Sequence, residues 1–592
     1  MRLLPHLFGR FPSRLHLPAL SLGLWLAISA ILVISSSSVI AARSGWDPDD
    51  QLRMVQLRDF LNGQSWFDIT QYRMNGDSGA PMHWSRLVEL PLVLIILLLS
   101  PIIGQPAAEM AAGTLIPLLG LGLTAYMIGR IAAALASKEA GVVALLITLI
   151  SPAVLMQFRP MRIDHHGWQI VMAALALWTI FWPNKKQGGI VLGLAMAIWL
   201  HISLEGAPMT AAFFVLLGWR WIFEKAHGQR LIWTITSFAL ASFALFMGTQ
   251  ASGLFAPVYC DTISPPHIAA IAIAAAIMLP AIVIAPKGWP IRIAIAALAA
   301  IAALGTLLAL APSCSAGAFG NLDPLVRDYW YIHVHEGLPI WHQGMQAIAA
   351  LFAAPLCGLI ALILLLRGAT GKNRSDLRIA GFFMIYALLL SIFIFRTISV
   401  AVAFAIPVIA ALIVALFQHY RRSRSPLQRV SLVTGMLLLL IPGAIAGQLI
   451  QRVVARPALA QASTASEKCQ AASSVAALNA LPKSRFLAPF DMGPAILLTT
   501  PHAVLASSHH RNEKAMRDHI AIFLFAPDKA RAIITKHKIT HIAVCKGEAE
   551  LSNYTQRNPN GLWSRLDKGK VPAWLQPMKP LGKNIQLWRV KI

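Results

Sequence analysis

From about residue 19 to residue 450 the chain alternates apolar runs, each on the order of 20 residues, with short polar breaks. As helices, runs of that length match the hydrocarbon core of a bilayer. They predict spans at about 19–41, 107–130, 140–157, 167–183, 188–204, 207–222, 231–250, 266–286, 290–312, 343–366, 377–394, 398–418 and 430–450, about thirteen in all. A further apolar stretch, 84–103, reads as re-entrant or interfacial, because Arg86 and Glu89 sit in its first turns and the charge parity downstream requires it. After residue 450 the pattern changes. Strand-like stretches at 486–489, 496–499, 503–506, 539–544 and 585–590 alternate with helix-like ones at 515–525 and 529–536. The expected fold is a polytopic α-helical membrane domain, 1–450, followed by an α/β soluble domain, 451–592.

Composition agrees: of 592 residues, 57% are hydrophobic and only 13% charged, and mean hydropathy is +0.63, too apolar for a water-soluble chain. The formal charge of +25 raises nucleic acid as a partner, but the placement of the charges excludes it. Lys185 and Lys186, the 220–230 and 367–378 stretches, and Arg421, Arg422 and Arg424 all fall in short loops, where basic residues mark the cytoplasmic side. The N-terminus, with Arg2, Arg10 and Arg14, is then cytoplasmic. Its first apolar run is long for a signal peptide and has a poor cleavage pattern near Ala41 and Ala42, so an uncleaved span is expected. An odd span count puts the C-terminal domain outside, together with the loops 43–106 and 313–342. Of five cysteines, Cys357 lies in an apolar run. The other four allow Cys260–Cys314 and Cys469–Cys545 disulfides in an oxidising compartment, or remain buried thiols.

The outer face collects the chemistry. The first outer loop carries Asp47, Asp49, Asp50, Arg58 and Asp59; the next carries Arg159, Arg162, Asp164, His165 and His166; the late loop carries Asp323, Arg327, Asp328, His333, His335 and Glu336. Asp49, Asp164, His166 and Glu336 offer three carboxylates and an imidazole, a donor set suited to Mn²⁺ or Mg²⁺. Arg396, at the outer junction of two late spans, is costly at that depth unless it meets an anion such as a lipid phosphate. Each residue also has a plainer reading. Asp47 caps the following helix, His165 and His166 cap the one starting at Gly167, Arg396 snorkels, and His509, His510 and Arg511 are exposed loop residues rather than the lining of a groove.

Four places resemble the catalytic subunit of oligosaccharyltransferase, of the bacterial single-subunit type, within the GT-C glycosyltransferase superfamily. They are Asp49 followed by Arg58-Asp59; the 159–167 segment RPMRIDHHG; the 334–339 segment VHEGLP; and Phe395-Arg396-Thr397 with the later 488–493 segment APFDMG. The resemblance implies Asp49 and Glu336 as catalytic residues and Asp49, Asp164, His166 and Glu336 as metal ligands. It implies Arg396 on the donor phosphate, Asp491 with Glu336 on the acceptor, and Arg58, Asp59, Arg162 and His165 as supports. Two departures stand out. His166 replaces an acid, and Pro489-Phe490-Asp491 replaces the family's Trp-Trp-Asp, which binds the hydroxyl of an Asn-X-Ser/Thr acceptor.

The implied activity is inverting transfer of a sugar or oligosaccharide from a polyprenyl-(di)phosphate donor to a protein or glycolipid acceptor, by a single subunit of the bacterial inner membrane with its C-terminal domain in the periplasm. Two alternatives stand beside it. One is a GT-C enzyme decorating lipid A, a glycan or another lipid from a polyprenyl-phosphate monosaccharide. The other is a transporter without catalysis, which would place its ionisable groups near the bilayer midplane and often carry internal repeats.

Overall fold

The computed structural model describes residues 17–250, 252–454, 472–545, 548–581 and 585–591. All thirteen stretches anticipated as spans are built mainly of helix. Among the described residues, nine helices are long and apolar enough to cross a membrane, ten if one bent pair counts as a single span. That pair, Pro426–Leu440 and Pro442–Val453, turns by 87° at its break. Pro442, which has no N–H to give, starts the second arm. The 140–157 stretch is divided between Lys138–Ile150 and Pro152–Leu155. The count of thirteen full-length spans is therefore reduced to segments of unequal length.

The 84–103 stretch is helical only over Leu90–Ile103. At about 1.5 Å per residue its 14 residues cover roughly 21 Å, short of a bilayer's ~30 Å core. Its expected first turns are pulled inward. Buried Arg86 pairs with buried Glu89 at 3.0 Å and donates to the carbonyls of Trp66 and Asp68. At the centre of the helical domain lies Ile398–Arg422, whose residues from Ile398 to Ala415 are all buried. A helix covered on every side has no polar face to keep, which accounts for its run of Ala, Val and Ile.

The C-terminal region holds a five-stranded mixed sheet, in the order Ala503–Val504, Arg485–Leu487, His541–Cys545, Ile585–Val590, Leu575–Pro577. The first three strands are parallel and the last two antiparallel to their neighbours, with Phe486 opposite both Val504 and His541 and Val544 opposite Gln586. One expected strand is overturned: 496–499 is the end of the helix Met492–Thr499, which packs on the Pro48–Leu61 helix. An isolated apolar run of four residues does not distinguish strand from helix. The edge strand Leu575–Pro577, flanked by Pro572 and ending in Pro577, was not anticipated.

The first outer loop is joined to this sheet. Met74 bridges Val504, and Asn75 N–H donates to the Leu505 carbonyl at 3.1 Å. Arg73 and Arg58 donate to the Leu497, Thr500 and Leu498 carbonyls, satisfying groups that a helix leaves open at its C-terminus. Cys260 and Cys314 form a disulfide and Cys357 is a free, half-buried thiol. Cys545 is disulfide-bonded; Cys469, the partner expected for it, lies outside the described residues.

Candidate functional site

The site begins at a helix N-terminus. Asp47 accepts from Asp50 N–H at 3.0 Å, and Pro48 occupies the first helical position, where its missing N–H costs nothing. Asp50, one turn in, is buried and accepts from the backbone N–H groups of Trp46 (3.0 Å), Ile163 (2.9 Å) and Asp164 (3.0 Å), and from Arg162 (3.2 Å). Arg162 also pairs with Asp47. Trp46 donates to the Pro160 carbonyl at 2.7 Å and lies under the Arg159 guanidinium. These bonds dock the 159–167 segment on the helix end, so that Asp164 faces Asp49.

Asp164 is the hub. One of its oxygens accepts from His165 Nδ1 at 2.7 Å and from buried Arg53 at 3.4 Å. The other lies 3.3 Å from His166 Nε2 and is buried without a hydrogen-bond partner. Glu336 reaches in from the late outer loop, half-exposed, 4.0 Å from His166 Nε2 and 3.7 Å from Arg396 Nη1. Two features bring its short turn to Arg396. Phe395 N–H donates to the Leu338 carbonyl at 3.2 Å, and Gly337 has no Cβ where one would lie 2.9 Å from Arg396 Nη2. Arg396 pairs with Glu205 at 2.8 Å, and Glu205 accepts from Gln169 at 2.9 Å. His166, Gln169, Glu205, Glu336 and Arg396 line a cleft of about 540 Å³, counting its open mouth.

Charge in this cluster is unbalanced. Burial, then the carboxylates of Asp164, Glu336 and Asp50, push the Asp49 carboxyl well above its usual range. Burial and the Asp164 charge push Asp50 up to about 7 despite its N–H bonds. Single ligand atoms of Asp164, His165 and His166 lie within 4.8 Å of one another. An unsatisfied buried carboxylate oxygen among facing acids fits a divalent cation, and the mixed oxygen and nitrogen donors suit one.

The structure thus brings together Asp49, Asp164, His166, Glu336 and Arg396, with Arg162 and His165 against them. It does not bring Arg58, Asp59 or Asp491 to the same place. Positions 58 and 59 lie nine and ten residues beyond Asp49, roughly 14 Å along the helix. Arg58 pairs with Glu109 at 2.7 Å, and Asp59 accepts from Gln71 at 2.9 Å. Asp491 precedes Met492–Thr499 and faces Glu550; among the described residues no hydrogen bond or ion pair links it to Asp49, Asp164 or Glu336. His509, expected as an exposed loop residue, is buried, and His510 and Arg511 bind Asp261 instead of facing solvent. Sequence reasoning also passed over the site contacts of Arg53, Gln169 and Glu205, and the docking role of Asp50. Glu205 had a usable signal, a lone acid between two apolar runs.

No protein-family model matches the chain, and no curated protein sequence does. Solved structures do. The oligosaccharyltransferase AglB from Archaeoglobus fulgidus, in complex with an inhibitory peptide and a dolichol-phosphate, superposes with a TM-score of 0.64 at 12% identity, over 92% of this chain and 71% of that one. An oligosaccharyltransferase from the same archaeon, tethered to an acceptor peptide containing the NVT sequon, gives 0.62 at 13% identity, over 96% and 74%. A complex of that protein with Zn and sulfate gives 0.56 at 13%, over 95% and 72%. Over most of its length, the chain has the fold of an oligosaccharyltransferase.

Proposed function

We propose that this protein is a membrane glycosyltransferase that moves a sugar or oligosaccharide from a polyprenyl-(di)phosphate donor to an acceptor at the outer face of the bacterial inner membrane. The observation that carries the reading is the cleft in which Arg396 and Glu336 stand beside the Asp164–His166 pair, on the fold of an oligosaccharyltransferase. Structures with that fold hold a peptide and a dolichol-phosphate. The Cys260–Cys314 disulfide, next to the Asp261 that meets the C-terminal domain, supports an oxidising compartment for that side.

Asp49, Asp164, His166 and Glu336 would hold the divalent cation, Mn²⁺ or Mg²⁺, which would supply Lewis-acid neutralisation of charge at the reacting phosphate and acceptor. The chain's own groups do the rest. Arg396 binds the phosphate oxygens that leave with the lipid, by charge-assisted hydrogen bonds. Asp49, whose environment favours its protonated form, accepts the acceptor's proton, and Glu336 orients the nucleophile by hydrogen bonding. Direct displacement by the acceptor on the face opposite the phosphate inverts the anomeric carbon. One subunit contains all these groups.

One observation favours an acceptor other than an Asn sequon. Phe490, in place of a tryptophan, is buried and stacked on His519 with ring centroids 4.1 Å apart, so it offers no aromatic face to a peptide. Under this second reading the acceptor is a glycan or lipid such as lipid A. The test is to compare lipid-linked and surface glycans of the host with and without Asp49→Ala. Accumulation of a polyprenyl-linked sugar with loss of one glycoconjugate supports transfer and names the acceptor. Unchanged pools in a folded variant refute it and reopen the transporter reading.

A further inference from the structure

A second cluster of ligand-type side chains lies outside the cleft, where three distant parts of the chain meet. His83 comes from the first outer loop, after the short strand Ala80–Pro81. Asp261 adjoins the Cys260–Cys314 disulfide. His509 and His510 come from the C-terminal domain, after Ala503–Val504. His83 Nδ1 and His509 Nε2 stand 2.7 Å apart, and His510 Nε2 is 2.7 Å from Asp261 Oδ2. The His83 ring lies 4.6 Å from that of His509 and 4.7 Å from that of His510, centroid to centroid. One ligand atom each of His83, Asp261 and His510 falls within 4.8 Å of the other two.

Three features go beyond an incidental grouping of histidines. Two ring nitrogens at 2.7 Å cannot both carry protons, so at least one faces the cluster with a lone pair. His509 is 2% exposed, and its Nδ1 is buried with no hydrogen-bond partner. Asp261 is gripped on both oxygens by Arg511, at 2.6 and 2.9 Å, which fixes the carboxylate as the outer partner of a metal ligand does and leaves lone pairs on each oxygen. The Arg511 charge opposes a cation, so the imidazoles must supply most of the binding.

We propose that His83, His509, His510 and Asp261 form a structural Zn²⁺ site that clamps the first outer loop and the 252–264 loop to the C-terminal domain. Three imidazoles and one carboxylate match tetrahedral Zn²⁺, whereas Mg²⁺ and Ca²⁺ want a shell of oxygens. Ligand nitrogens around a tetrahedral ion stand roughly 3.3 Å apart, as bonds of about 2.0–2.1 Å require, so the His83–His509 pair opens by about 0.6 Å on binding. The site is separate from the cleft and does not depend on the transferase reading.

The test uses the full-length protein in detergent, carrying Asp164→Asn to disable the cleft cluster, stripped with chelator and reloaded with Zn²⁺. One ion per chain is expected after gel filtration, with a higher melting temperature than the stripped protein. X-ray absorption at the zinc edge should show a shell dominated by imidazole nitrogen at about 2.0–2.1 Å. In the same background, His83→Gln with His510→Gln should lose the bound ion and the thermal shift. Failure of the reloaded protein to retain zinc, an oxygen-dominated shell, or undiminished zinc in a folded double variant would each overturn the site. The absorption measurement needs no change in the cluster, so the proposal stays testable if that double variant does not fold.

Discussion

Arg396 holds Glu205 at 2.8 Å across the floor of the cleft. A guanidinium in so enclosed a place needs an anion, and the carboxylate supplies one. The arginine keeps further N–H groups, among them a buried, unpartnered Nε. Glu205 therefore positions Arg396 and does not use up its capacity for a phosphate. Arg396→Lys keeps the charge but loses the fork of donors. We expect the KM for the lipid-linked donor to rise about tenfold, roughly 1.4 kcal/mol, with a smaller change in kcat. Steady-state kinetics on the purified protein decide this; an unchanged KM removes Arg396 from donor binding.

Asp164→Asn and Glu336→Gln should each reduce transfer by at least ~100-fold, about 2.7 kcal/mol, in protein that still folds. Arg58→Ala separates site from scaffold. It loses the Glu109 pair and the Leu498 carbonyl bond, so it should lower stability by about 1–2 kcal/mol, while the rate per folded molecule stays within about threefold. A rate loss comparable to that of Asp164→Asn would return Arg58 to the site.

Chelation should abolish transfer, and Mn²⁺ or Mg²⁺ should restore it. Calorimetric titration of Mn²⁺ should show a binding event in the wild type that is missing from Asp164→Asn. If transfer is unaffected by exhaustive chelation, the cleft works without a cation.

Asp491 sets a pH dependence. Burial, then the neighbouring Glu550 charge, raise its carboxyl from the ordinary 3.8 to about 6. The folded state therefore binds this proton more tightly than the unfolded chain does. Stability falls as pH rises from about 4 to about 6 and stays lower above that. Allowing for partial exposure, the loss is about 1–2 kcal/mol. Asp491→Asn should melt above the wild type at pH 7.5 and level with it near pH 4, as scanning calorimetry can show. Equal melting at both pH values would contradict the burial argument.

Much of the architecture could be read along the chain, because it depends on local quantities. An apolar run of about 20 residues folds as a helix wherever it lies in a bilayer, since no other arrangement satisfies its backbone there. Asp47 and Pro48 announced a helix start for equally local reasons. The strands at 485–487, 541–545 and 585–590 were legible from their β-rich composition, while 496–499 was not: four apolar residues fit either state, and packing on the Pro48–Leu61 helix selected one.

The site was only partly legible. The residue types of Asp49, Asp164, His166, Glu336 and Arg396 could be picked out one by one, but their meeting could not. Asp49 and Glu336 are separated by most of the helical domain in sequence, and only the docking of the 159–167 segment through Asp50 and the Leu338–Phe395 backbone bond bring them together. Arg58 shows the converse. It looked close to Asp49 in sequence, yet nearly three helical turns carry it away to Glu109 and the C-terminal domain. Glu205 and His509 looked like a stray acid and a loop histidine, and each is buried against partners from remote segments. Sequence by itself determined which stretches are helical, because helix length and hydrophobic pattern are properties of neighbours along the chain. Which charges share a cleft was decided only by the tertiary structure, because electrostatic contact depends on distance in space, and burial makes each such contact strong enough to matter.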